Sequence, residues 1–103
     1  MMFTPGPWLA TPNSALVYAL NPQGTNRFDA LMQGGWTVEA KHRTEAAELL
    51  ANARLIAAAP DMYKALLEVE AHHAKQNALK GRDESRSKTL LIVRAALAKA
   101  TQP

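Results

Sequence analysis

Apolar positions in the first third of the chain come in short runs broken by proline, glycine and asparagine. In the second half they recur every three or four residues. The run Ala15-Leu16-Val17-Tyr18-Ala19-Leu20 lies between two turn signals, Pro12-Asn13-Ser14 and Asn21-Pro22-Gln23-Gly24, which predicts a central strand. Thr4-Pro5-Gly6-Pro7-Trp8 ahead of it cannot be helical, because each proline fixes its own φ and biases the preceding residue towards extended backbone. Trp8 therefore opens a short extended run. Arg27 to Gln33 alternates in part and is closed by Gly34-Gly35; its flanking turns favour a strand over a helical turn, and Trp36-Thr37-Val38 offers one more extended piece. Residues 7–38 read as an antiparallel meander of three or four strands.

The helical period begins at Thr44, an N-cap candidate followed by Glu45 and Glu48 near the positive end of the helix dipole. Over 44–58, Leu49, Ala53, Ile56 and Ala57, flanked by Leu50, form a stripe that can lie on the sheet. The small alanines of this run allow another backbone to approach closely, whether a sheet or a second copy of the helix. Pro60, lacking an amide hydrogen, suits the first turn of a second helix over 60–80, with a corner at Ala59 and with Met62, Leu66, Val69 and His73 on one side. Lys80-Gly81 ends it in the manner of a C-cap. A third helix over 86–100 aligns Leu90, Val93 and Leu97 and folds back on the second. The prediction is an α+β fold: a single domain, 1–103, with a small antiparallel β-meander packed on an Ala-rich helix, followed by a C-terminal helical hairpin.

Composition narrows the chemistry. A chain of 103 residues supplies one modest core, so a partner copy that adds burial is a natural expectation. With no cysteine there are no disulfides, thiolate nucleophiles or thiolate metal sites, which fits a reducing compartment. No apolar run approaches the roughly 20 residues that span a bilayer, and the N-terminus lacks signal-peptide character, so no membrane association is expected. The net charge of +3 conceals a division: from His72 onward seven Lys or Arg face only Asp83 and Glu84, whereas the first 71 residues carry five basic and seven acidic side chains.

Catalytic motifs are missing from the sequence. There is no phosphate-binding glycine loop of the Walker type and no Gly-x-Ser-x-Gly elbow. His72 and His73 project about 100° apart on a helix, whereas helical metal pairs favour spacings of three or four. No catalytic residue, metal site or cofactor is expected, and binding is the better class. Trp8 and Trp36 offer indole faces for stacking, but in a small sheet they equally fill the core. Asn26 and Arg27, at the mouth of the hairpin, can reach a phosphate or carboxylate, although turn chemistry alone also accounts for Asn26.

The elements Thr4-Pro5-Gly6-Pro7-Trp8 and Ala51-Asn52-Ala53-Arg54-Leu55-Ile56-Ala57-Ala58-Ala59-Pro60-Asp61 resemble those of a widespread group of small proteins from tailed phages and prophages. These open with the first motif, continue through a short sheet and end in a helix carrying the second. The resemblance implies a phage protein acting in the host cytoplasm, a setting in which small oligomeric proteins counter host immunity. One style of action is sequestration of a nucleotide second messenger, of the cyclic nucleotide or cyclic ADP-ribose type, without cleavage. Such a ligand needs a stacking ring, guanidinium groups for phosphate and an amide to read an edge. Asn52 and Arg54 on the first helix, Asn26 and Arg27 on the hairpin, and Trp8 or Trp36 meet that need, most readily across a homo-oligomer boundary. Two structural uses compete: Asn52 as a buried amide tying helix to sheet, and Arg54 in an ion pair with Glu48 or Asp61. The alternative function is binding of nucleic acid or of a host defence protein, such as a CRISPR effector, through Lys80, Arg82, Arg86, Lys88 and Arg94.

Overall fold

In the computed structural model, which describes residues 3–34 and 45–102, β2 (Leu16–Leu20) is the central strand of a three-stranded antiparallel sheet, flanked by β1 (Leu9–Ala10) and β3 (Asn26–Leu31). The expected extended piece at Trp36–Val38 and the Thr44 cap lie outside the described residues. Strand alternation sorts the side chains of β2: Val17 and Ala19 are buried, while Leu16 and Tyr18 are half-buried and Leu20 is exposed. The turn between β2 and β3 is closed by the Gly24 amide donating to the Asn21 carbonyl at 2.9 Å, with Gly24 at a φ of +88°. Pairing slips between Ala19, opposite Phe28, and Leu20, opposite Asn26. Arg27 is left without a facing residue, the arrangement of a β-bulge.

Helix α1 (Ala46–Ala57) packs on β1 and β2. Its contact face centres on the buried Ala53, with Leu49, Leu50 and Ala57 half-buried beside it. Ala53 on the helix and Val17 and Ala19 on the strand are all buried, and such small side chains let a helix lie close on a sheet. Ile56, placed on the same stripe by its spacing, lies at the exposed margin. Trp8 closes one end of the unit, meeting Phe28 edge-on at a ring separation of 5.2 Å and Phe3 at 6.4 Å.

Helix α2 (Ala59–Leu79) begins one residue after Ala58, with Pro60 in its first turn, where the missing amide hydrogen costs no helical bond. Helix α3 (Lys88–Thr101) follows a short 3-10 turn, Glu84–Arg86, and is capped by Ser87, whose Oγ accepts from the Leu90 amide at 3.3 Å. The residues gather into two compact units, Phe3–Pro60 and the chain from Asp61 onward.

In the second unit Leu90, Val93 and Leu97 form the buried stripe that their spacing predicts. Helix α2 departs from its predicted face. Met62 and Val69 are exposed, whereas Leu66 and His73 of that face are less accessible, together with Tyr63, Glu70, Ala74, Gln76 and Asn77. That side also carries Glu70, whose Oε2 accepts from Arg94 Nε of α3 at 3.2 Å, an ion pair that hydrophobic periodicity does not register.

Beyond Leu79 the Arg82 amide donates to the Asn77 carbonyl at 2.8 Å and the Gly81 amide to Ala78 at 3.2 Å, with Gly81 at a φ of +66°. This is a Schellman ending, which needs a left-handed residue at the position of Gly81. Nothing lies within 4 Å of a Cβ added there, so the cost of Gly81→Ala comes from backbone strain alone. The variant is expected to lose roughly 1 kcal/mol of stability in a denaturant melt.

Candidate functional site

The residues that the sequence marks as binding candidates fall in different places. Asn26 pairs with Leu20 and borders a shallow hollow of about 270 Å³ with Leu16, Tyr18 and Asp29. Arg27 is exposed at the bulge. Asn52 and Arg54 are exposed on α1 on either side of the buried Ala53. Two residues apart, they point about 200° from each other around the helix and do not converge from one copy. Asn52 is not the buried tie between helix and sheet, and among the described residues no ion pair joins Arg54 to Glu48 or Asp61. Helix α1 lies on β1 and β2, with β3 on the far side of β2, so the hairpin pair and the helix pair occupy separate parts of the unit. Trp8 is half-buried and its indole Nε1 donates to the Thr4 carbonyl at 3.0 Å, which commits the polar edge of the ring. Trp36 lies outside the described residues.

A better-formed concavity occupies the corner between α2 and α3. It is a cleft of about 590 Å³ lined by Asn77, Gly81, Arg82, Asp83, Arg86 and Ser87. That volume falls in the range of small-molecule sites. The left-handed Gly81 turns the chain sharply after α2, the 3-10 turn brings Arg86 round, and Ser87 starts α3, so all six lining positions fall within eleven residues of sequence. The lining is therefore local in sequence, while the burial of Asn77 comes from tertiary packing.

Charge at this corner is unevenly committed. Arg94 is held by two carboxylates, through Nε to Glu70 at 3.2 Å and Nη1 to Glu84 at 3.1 Å, and the Glu84 hydrogen bond leads in raising its pKa above the ordinary arginine value. Among the described residues no ion pair engages Lys80, Arg82, Arg86 or Lys88. The cleft rim therefore carries two guanidinium groups against the single carboxylate of Asp83.

Asn77 is the residue that sequence reasoning missed. It is 7% exposed, and its Nδ2 is buried with no hydrogen-bond partner among the described residues. Buried amides are nearly always satisfied, so an orphaned donor calls for a reason. The available signal was an asparagine one helical turn before the Lys80-Gly81 cap and just ahead of the basic segment. Among the described residues no group of His, Asp and Glu is placed to hold a metal ion.

A family model described as Salmonella phage P22 protein Y8K6 matches the chain over residues 1–103. No curated protein and no solved structure matches it.

Proposed function

Since the chain belongs to the Salmonella phage P22 protein Y8K6 family, we propose that it is a phage-encoded, non-catalytic binding protein that sequesters a nucleotide signal of host immunity in the host cytoplasm. The observation that carries this reading is the α2–α3 cleft, large enough for a nucleotide and rimmed by Arg82 and Arg86, neither of which is spent on an ion pair among the described residues. Guanidinium groups bind phosphate bidentately and lose little by desolvation, which suits capture of an anionic ligand at an open site. No described helix is long and apolar enough to cross a membrane. The exposed Leu9, Leu20 and Leu31 of the sheet offer apolar surface for self-association, as expected for a sequestering oligomer.

A second reading uses the same corner for nucleic acid. Lys80 and Lys88 stand outside the cleft lining and extend its positive charge along the chain, a track that a polyanion can follow. Native mass spectrometry against cyclic nucleotides, cyclic ADP-ribose isomers and a short DNA duplex separates the two. An intact nucleotide retained by the protein, with affinity falling on the order of tenfold or more in the Arg82→Ala/Arg86→Ala variant, is the expected result. Uptake of the duplex alone, weakening steeply with salt, transfers the function to nucleic-acid binding; uptake of neither leaves a host protein as the target.

A further inference from the structure

We propose that Asn77 reads the ligand of this cleft by hydrogen-bonding a phosphoryl oxygen at its floor, an inference that rests on the preceding reading of a phosphate-bearing ligand. The residue is held in place through its backbone, because its carbonyl accepts the Arg82 amide at 2.8 Å in the helix ending. Its side chain is the unsettled part. Among the described residues Nδ2 has no acceptor, yet Asn77 lines a cavity whose other polar contributors are Arg82, Asp83, Arg86 and Ser87.

These groups form one donor set. Arg82 and Arg86 supply charge from the rim. Ser87 Oγ already accepts from the Leu90 amide, so its hydroxyl proton remains to be donated. The amide hydrogens of Asn77 complete the set from below. A tetrahedral anion offers several acceptors in different directions, which matches donors that approach from rim and floor. Nδ2 is nearly sealed from water, so it meets a ligand oxygen by a turn of the carboxamide about its last torsion, which is broad and two-fold in asparagine. A donor kept dry in the free protein gains its first hydrogen bond when the ligand enters. It therefore discriminates for the ligand more strongly than an exposed amide would.

The test is calorimetric titration of the full chain with inorganic pyrophosphate and with the nucleotide that binds best, beside thermal melts of Asn77→Leu and Asn77→Asp. Asn77→Leu removes the orphaned donor, so its melting temperature is expected to hold or rise while affinity for pyrophosphate falls tenfold or more. Asn77→Asp keeps the shape but turns a carboxylate on the phosphate, and is expected to abolish binding; it decides the matter if the leucine variant misfolds. Pyrophosphate binding by Asn77→Asp at parental affinity overturns the role of Asn77, and a lower melting temperature with unchanged affinity in Asn77→Leu does the same. If Asn77 variants lose nucleotide but not pyrophosphate, the amide reads the base and the phosphoryl assignment is wrong. A parental protein that takes neither probe removes the nucleotide-capture reading itself, an outcome distinct from one in which Arg82 and Arg86 matter and Asn77 does not.

Discussion

Leu90→Ala is expected to destabilise the second unit by about 2–5 kcal/mol, the usual cost of emptying a fully buried leucine site. Leu90 has no exposed surface, and with Val93 and Leu97 it makes up the buried apolar core of α3 among the described residues. A small domain has a total stability of roughly 5–15 kcal/mol, so the loss is a large fraction of what is there. The same residue donates its amide to the Ser87 cap at the start of α3, and Ser87 lines the candidate cleft. Amide hydrogen exchange should show the α3 amides losing protection, and denaturant titration should give the free-energy change. Leu91→Ala is the control: its side chain is 54% exposed, and its replacement should change stability by no more than about 0.5 kcal/mol. Equal effects from the two variants would mean that the stripe is not the core.

In the first unit the largest effect expected of a small change is at Gly6. A Cβ added there would sit 2.9 Å from Cβ of Pro60, closer than non-bonded carbons come, and Cβ of Pro60 belongs to a ring that cannot swing aside. Gly6 lies on exposed chain whose neighbours can give way in part, so Gly6→Ala should cost about 1–2 kcal/mol, the lower part of the overpacking range. A thermal melt that shifts downward, together with weakened protection of β1 and the end of α1, is the expected outcome. An unchanged melt would show that the Thr4–Trp8 segment does not seat against the start of α2. The contact also gives a physical reason for the two sequence motifs to travel together: Gly6 of the first meets Pro60 of the second, so each segment shapes the space available to the other.

Much of the architecture was legible in the chain because local rules and global packing agree there. The run Leu16–Leu20 between two proline- and glycine-bearing turns reads as a central strand, and the flanking turns correctly decide the strand Asn26–Leu31 over a helical turn. Leu90, Val93 and Leu97 announce their shared burial by spacing alone. The helix ending at Gly81 is equally local, since it needs a left-handed backbone that glycine adopts without strain. How the binding candidates of the hairpin and α1 lie relative to one another was less legible. Asn52 and Arg54 look adjacent in sequence, but a helix separates them by about 200°, with the buried Ala53 between.

By itself, then, the sequence determined the order and type of the elements, the phage family and the concentration of positive charge after His72, because these depend on neighbours in the chain or on simple composition. The tertiary structure decided which charges are free and which polar groups are buried. Arg94 reads as one more cation until Glu70 and Glu84 close on it from α2 and the 3-10 turn. Asn77 reads as an ordinary helix-surface amide until packing seals its nitrogen beside a cleft. The physical reason is range. Backbone preference acts over a few residues, whereas solvation and electrostatics depend on whatever the fold brings within a few ångströms, regardless of how far apart it lies along the chain.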